Sequence, residues 1–408
     1  MARSRDNGRG AWWDVSGLPV ALLALAMLTT GAAAAEKTDA PGVSATEIRI
    51  GQTMPLSGPA SSYATIARSE AAYFQQINEQ GGINGRKITL ITLDDGYSPP
   101  KTVEQTRKLI EQEKVAFIYQ PLGTPTGMAV RKYLNGKHIP QLFIAAGATF
   151  WGDAKAWPWS MGWQPTYKAE STLYAEHILK TKPNARIAIM GHNDDAGRDY
   201  LNSFKEALGD RAKQMIVYEA SYEPTDPTID QQIVAAKESG ADTFYIHAVP
   251  KFAAMAIRKV FDLDWHPTFY LTTTGNSISQ AIQPAGFEKA QGIITMEYLK
   301  DPNDEMWRDD PGMQAWRAFM EKYYPQGNTG DVLNVYGYSA AQTLVQVLKQ
   351  CGDDLSRENI MRQAEHLNLA LPLLLPSSKI ETSPTDHYPI ETMRLARFEG
   401  AKWLLLPE

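Results

Sequence analysis

The chain has 408 residues, a net charge of −6 and 43% apolar residues, the balance of a globular protein long enough for two domains of ordinary size. That acidic balance gives no electrostatic footprint for nucleic acid or an anionic membrane surface. Cys351 is the single cysteine, so no internal disulfide can form.

Arg3, Arg5 and Arg9, the apolar run at 18–29 and the small residues Ala33, Ala34 and Ala35 read as a signal peptide over residues 1–35. The run is short for a bilayer span. Cleavage is expected before Glu36, and no cysteine follows to carry a lipid. The mature protein is expected in the periplasm.

Ile48, Ile50 and Gly51 then open a strand. Residues 55–62 form a loop rich in Pro, Ser, Gly and Ala. Ile66, Ala67, Ala71, Phe74 and Ile77 recur at helical spacing. Gly81-Gly82 ends that helix, Asn84-Gly85 turns the chain, and 88–93 reads as a second strand. Strand, loop, helix, turn and strand make a βαβ unit, whose first loop faces the crevice where ligands bind.

Residues 115–119 read as a buried strand, with Thr124 as N-cap and Pro125 as first residue of the helix that follows. Residues 139–145 are the next strand. Trp151, Trp157, Trp159 and Trp163 cluster after it and are expected to pack between domains. Pro165 suits a first crossing. A second series follows, with strands at 187–190, 215–218, 243–248, 269–272 and 292–298 and helices around Tyr174, Tyr200, Ile233 and 252–261. Two helices lined by Trp316, Phe319, Met320 and Tyr323 and by 336–348 return to the first domain. Strands at 393–398 and 403–406 end the chain. Alternating β and α elements predict an α/β fold with mainly parallel sheets.

Several motifs carry a family likeness: Leu56-Ser57-Gly58-Pro59, Tyr63, Asn78 with Gly81-Gly82-Ile83-Asn84-Gly85, and Asp94-Asp95. Gly147-Ala148-Thr149, Arg186-Ile187-Ala188-Ile189 and Gly240-Ala241-Asp242 follow in order. Together, over about 47–406, the chain resembles periplasmic solute-binding proteins of the leucine/isoleucine/valine type, the receptors of ABC importers. The resemblance implies two Rossmann-like lobes joined by a three-segment hinge. It puts lobe 1 at 46–163 and 298–372, and lobe 2 at 164–297 and 373–408. Members with an early disulfide have no counterpart here, because neither 94–98 nor 121–124 holds a cysteine.

Carried over residue by residue, the family's carboxylate-holding loops fall at Gly123, Thr124, Ala146, Gly147 and Thr149. A family serine falls at Gly123, which leaves the hydroxyl to Thr124. Free N–H groups at a helix start attract such an anion. Tyr63 matches an aromatic that packs on the ligand. A family tyrosine falls at Ala196, and the glutamate that meets a ligand ammonium falls at Thr273. His247 ends a strand of the second domain and is a further candidate. With no acid in 272–276, the second wall is expected to be neutral and to suit a small organic carboxylate, an aromatic acid foremost. A branched-chain amino acid, a short aliphatic acid or an amide stays open, with Asp194 or Asp195 as the acid that would serve an amine. A permease complex in the inner membrane is the implied partner, and a ligand sensor for a membrane regulator is the alternative. The protein is expected to be a monomer without cofactor, metal or nucleic acid. No HExxH, Cys/His metal spacing, GxSxG or phosphate-binding glycine loop suggests an enzyme. Asp94-Asp95 and Asp194-Asp195 read as caps and strand ends.

Overall fold

The computed structural model describes residues 40–407. The expected signal peptide lies outside the described residues. β1 (Glu47–Met54), α1 (Ala64–Glu79) and β2 (Lys87–Asp94) form the opening βαβ unit, with β1 and β2 parallel in register from Glu47↔Lys87 to Met54↔Asp94. Gly82 terminates α1 in the left-handed region at φ +71, and a Cβ there would sit 2.0 Å from the Arg86 carbonyl oxygen. Only glycine fits both demands.

α2 (Pro99–Glu111), β3 (Ile118–Tyr119), α3 (Thr124–Gly136), β4 (Gln141–Ile144) and β5 (Ser160–Gly162) complete a five-stranded parallel sheet of order β2-β1-β3-β4-β5. α2 and α3 pack together, while α1 packs on helices that arrive later in the chain. A sheet covered on both faces explains why β1, β3 and β4 are almost wholly buried.

The second series is α4 (Tyr167–Thr181), β6 (Ile187–His192), α5 (Asp195–Leu208), the short α6 (Ala212–Met215), β7 (Ile216–Tyr222) and α7 (Asp230–Glu238). It continues through β8 (Thr243–Ile246), α8 (Pro250–Asp262), β9 (Thr268–Leu271), the short α9 (Gln283–Ala285) and β10 (Ile294–Glu297). α10 (Pro311–Tyr323), α11 (Val332–Cys351) and α12 (Arg357–Ala364) then return to the first layer, where α10 and α11 both pack on α1. A two-stranded ribbon joins β11 (Asn368–Leu369) to β12 (Ile380–Glu381). β13 (Arg394–Glu399) and β14 (Lys402–Leu405) form an antiparallel hairpin on the edge of the second sheet, whose order is β14-β13-β10-β9-β8-β6-β7.

The molecule is thus an α/β protein of two lobes, with one all-parallel sheet and one mixed sheet. The chain passes between them near Gln164, at 298–300 and at 371–375. The last two passages are bonded side by side: Lys300 N–H donates to Leu373 O and Leu375 N–H to Tyr298 O, both at 2.9 Å. After the third passage, residues assigned from the sequence to lobe 2 touch lobe 1 again. His387 Nδ1 lies 2.8 Å from Ser160 O, and the Tyr388 hydroxyl donates to Thr149 O at 2.6 Å.

The tryptophan cluster also differs from expectation. Trp151 and Trp157 bracket the Arg131 guanidinium, at 5.2 and 3.9 Å from their ring centroids, and Trp159 stacks on His138 at 5.1 Å. These contacts stay within lobe 1, because α3 carries the cation and the histidine follows it. Trp163 alone sits at a passage, against Tyr298 and Tyr336, with its N–H donated to Thr343 Oγ1 at 3.0 Å.

Candidate functional site

The carboxyl ends of the parallel strands of both lobes face one cleft, as open α/β sheets require. Asp94, closing β2, accepts the N–H groups of Leu56 and Ser57 at 2.9 and 3.1 Å and the Ser57 hydroxyl at 2.7 Å. That fixes the loop which delivers Tyr63 to the cleft. From across, the Thr274 carbonyl accepts the Tyr63 hydroxyl at 2.6 Å. Tyr97 reaches the same way, its hydroxyl 3.4 Å from Asp194 Oδ2. The lobes are closed on each other at these points. The cavity between them measures about 80 Å³ as the volume open to water centres. Since one water needs ~10–15 Å³ by that measure, the cavity suits a small molecule.

Five of the nine expected residues line this cavity: Tyr63, Gly123, Ala196, His247 and Thr273. Thr124, Ala146, Gly147 and Thr149 do not. Gly123 is the residue before α3, and Thr124 is its first helical residue rather than the N-cap. Thr124 is fully buried, with its hydroxyl 3.5 Å from that of Tyr167. Ala146 is buried and gives its N–H to Ile144 O. Gly147 accepts the Tyr167 N–H at 2.7 Å, and a Cβ on it would come within 2.8 Å of the Tyr167 ring. Thr149 is engaged from the other lobe: its N–H donates to Asp199 Oδ2 at 2.7 Å, and its hydroxyl lies 3.1 and 3.2 Å from the two carboxylate oxygens. The loops singled out as an anion cradle are therefore packed by Tyr167 and Asp199.

The second wall holds more acid than its loop sequence implies. Behind Thr273 stands Glu170 of α4, which accepts the Thr273 N–H and hydroxyl at 2.7 and 2.9 Å and the Tyr174 and Tyr200 hydroxyls at 3.0 and 2.6 Å. Glu297, ending β10, lines the cavity itself and takes the Asn276 side-chain N–H at 2.9 Å. Burial first, then the charges of Asp301 and Glu170, push the Glu297 carboxyl well above the usual range. The loop at 272–276 holds no acid, as its sequence reads, but the wall around it does, at Glu297 with Glu170 behind Thr273. Glu297 ends the strand Ile294–Glu297, one register position past apolar residues, and nothing in that short run marks it as a site residue.

His247 stacks on Tyr200 at 4.4 Å between centroids, and Tyr200 stacks on Tyr167 at 4.1 Å. Burial pushes the His247 pKa down to about 3, so its imidazole is neutral. Neither Asp194 nor Asp195 lines the cavity. Asp194 instead caps α5, accepting the Gly197 N–H at 2.9 Å, and pairs with His192 Nδ1 at 2.7 Å. Among the described residues no lysine or arginine lines the cavity. The lining residues that sequence reasoning missed include Tyr97, Gln164, Tyr167, Glu297, Tyr298 and Tyr336. Among the described residues no cluster of His, Cys, Asp and Glu is placed to hold a metal ion, and no helix is long and apolar enough to cross a membrane.

Comparison with known proteins gives the same answer as the fold. The family described as periplasmic binding protein matches residues 47–402. A Leu/Ile/Val-binding protein homolog 1 from Brucella abortus is 23% identical over 320 residues, covering 76% of this chain and 81% of the relative. A branched-chain amino acid ABC transporter structure from Thermus thermophilus, with bound valine, superposes with a TM-score of 0.79 at 16% identity, over 90% of this chain and 97% of that one. A fatty acid ABC transporter substrate-binding protein from Thermomonospora curvata gives 0.74 at 20% identity, over 90% and 94%. The chain belongs to the periplasmic binding protein family.

Proposed function

We propose that this chain is the periplasmic receptor of an ABC importer, released from its signal peptide, and that it closes its lobes on a branched-chain amino acid or an amide of similar size before docking on the membrane permease. The observation that carries the ligand class is the chemistry of the cleft lining. Among the described residues it includes one carboxyl, Glu297, and no lysine or arginine. An acid such as benzoate or cinnamate would bury its carboxylate beside Glu297 with no cation to pair it, which is costly. A branched-chain amino acid carries an ammonium beside its carboxylate, so it enters with no net charge and its ammonium can face Glu297, and an amide pairs with the neutral carboxyl. Tyr63, Ile66, Leu122 and Val249 supply the apolar body of the site. The names of the Brucella relative and of the valine-bound Thermus structure support this ligand class over the aromatic acid.

The test is a melting screen of the purified protein against leucine, isoleucine, valine, their amides, benzoate and cinnamate. A ligand present at a hundred times its dissociation constant stabilises by about 2.7 kcal/mol, and an amine or amide should give that rise. A response confined to benzoate and cinnamate would overturn the reading.

A further inference from the structure

Glu297 is more than nine-tenths buried where β10 ends, and it lines the cavity. Its carboxyl has a single hydrogen-bond donor, the Asn276 side-chain N–H, at 2.9 Å from Oε1. Oε2 has no hydrogen-bond partner among the described residues. Among those residues no lysine or arginine lines the cavity to balance a charge there. Lys300, three residues on, pairs with Asp310 at 2.6 Å, and Lys402 pairs with Asp304 at 3.2 Å. Arg394, opposite Glu297 in the register of β10 and β13, donates from its guanidinium to the Leu406 carbonyl at 2.9 Å. The groups whose charge bears on Glu297 are acidic or phenolic: Glu170 from α4, Asp301 from the segment after β10, and Tyr298 beside it. From lobe 1, Asp331 at the start of α11 is occupied by the side chains of Ser277 and Gln280, at 3.1 and 2.8 Å. A carboxyl so placed keeps its proton, because burial and like charges both disfavour the anion.

We infer that Glu297 makes capture of an amine-bearing solute proton-linked: its carboxyl is neutral in the solute-free cavity and gives its proton to the solvent when a solute ammonium takes the place beside it. The inference rests on the cleft being the solute site. The O–H bond of the carboxyl breaks, its electron pair stays on the carboxylate, and the proton leaves with bulk water. The ammonium keeps its own three protons. The ion pair that forms offsets the cost of a buried charge that neither partner could carry alone. An amino acid's own carboxylate meets neutral donors on the same lining, since the Gln164 N–H₂ and the Tyr298 hydroxyl make no hydrogen bond to the described residues. A neutral amide requires no proton to leave, because its carbonyl accepts from the protonated carboxyl. The amine-bound state therefore holds one proton fewer than the empty one. Affinity for an amine rises with pH wherever the empty site holds that proton, and affinity for an amide does not.

The experiment titrates L-leucine and isovaleramide calorimetrically into the wild type and Glu297→Gln. Isovaleramide carries the leucine side chain on an amide and has no amine. Each titration is run in phosphate and in Tris, whose ionisation enthalpies differ widely, so the difference in heat counts protons. At pH 7 the wild type should release about one proton per leucine and none per isovaleramide. Its leucine affinity should rise about tenfold per pH unit between pH 6 and pH 8, while isovaleramide affinity stays level. Glu297→Gln should still bind isovaleramide, which reports its folding, and should lose the proton release and the pH slope for leucine. The wild-type proton count decides without the variant. Leucine bound by the wild type with no proton released, or with the release retained in Glu297→Gln, overturns the inference while leaving the receptor reading intact. Binding of neither solute overturns the ligand reading of the cleft, and this inference with it.

Discussion

Gln52 Nε2 donates to Glu70 Oε2 at 2.7 Å inside lobe 1, and the other carboxyl oxygen of Glu70 is buried without a partner. Burial raises the Glu70 pKa from 4.5 to about 8, against the lowering effect of Gln52 and of the neighbouring Tyr119 hydroxyl. The carboxyl is therefore protonated at neutral pH. A folded pKa above the unfolded one means that the native state holds the extra proton. The contribution to stability is complete below about pH 4.5 and is lost as the pH rises through about 8. Each tenfold change in proton affinity between the folded and unfolded chain is worth about 1.4 kcal/mol, so a few kcal/mol are at stake. Melting temperature should fall from pH 6 to pH 9 in the wild type. Glu70→Gln, uncharged at every pH, should flatten that fall and melt higher at pH 9. Equal slopes for the two proteins would show that Glu70 does not titrate in this range.

Asp194 gives the opposite dependence. Burial alone would raise its pKa, but hydrogen bonds from His192 and from the Gly197 N–H are among the effects that outweigh it and hold it at about 2. A depressed folded value places the stabilisation above the unfolded pKa of 3.8 and removes it as the pH falls through about 2. The gap between those two values corresponds to about 2 kcal/mol. Asp194→Ala also removes the cap of α5, which costs about 0.5–2 kcal/mol. This variant should melt lower at pH 7 and lose less stability between pH 5 and pH 2 than the wild type. Asp194→Asn keeps the cap and should fall between the two at pH 7. A pH 7 melting temperature for Asp194→Ala equal to that of the wild type would refute the pairing.

Periodicity and punctuation made most of the fold legible. The opening unit reads clearly because Ile66, Phe74 and Ile77 repeat at helical spacing and Gly82 stops them. α2 did not read, since its buried face is Thr102, Thr106 and Leu109, too polar to show an apolar stripe. β3 shrank to two residues although Val115 and Phe117 around it are fully buried, because burial does not require ladder pairing. The site was legible where the loop itself supplies the wall, as at Tyr63 and Gly123. It was illegible where a distant side chain takes the position. Nothing near Thr149 in sequence announces Asp199, and nothing near Thr273 announces Glu170. Glu297 and Tyr298 are visible only once β10 has a place in the sheet.

Gly147 tests the packing that closes the expected anion loop. A Cβ there would lie 2.4 Å from the Pro165 carbonyl oxygen, where the chain passes between lobes, and 2.8 Å from the Tyr167 ring. The carbonyl is backbone and cannot swing aside. Gly147→Ala should destabilise the protein by about 1–3 kcal/mol, the usual cost of an overpacked site. It should also displace Tyr167, a cavity residue, and weaken solute binding. Gly136→Ala, whose Cβ meets nothing within 4 Å, serves as the control and should leave binding unchanged. Wild-type melting and affinity in Gly147→Ala would mean that the Gly147–Tyr167 contact is not made in solution.

Tyr63 joins the lobes through its hydroxyl, which donates to Thr274 O at 2.6 Å. The donor rides on lobe 1 and the acceptor on lobe 2, so this bond exists only in the closed form. Removing it takes free energy from closure alone, and a bound solute draws on closure. A neutral hydrogen bond contributes about 0.5–1.5 kcal/mol net, so Tyr63→Phe should weaken solute affinity by roughly fivefold, chiefly through faster release. The ring still fills its place, and the melting temperature of the ligand-free protein should change by only a degree or two. Tyr63→Ala should lose more affinity, because the buried ring lines the cavity as well. Stopped-flow release rates separate the two contributions. An unchanged release rate in Tyr63→Phe, with a slower association rate instead, would place the hydroxyl in solute entry and not in closure.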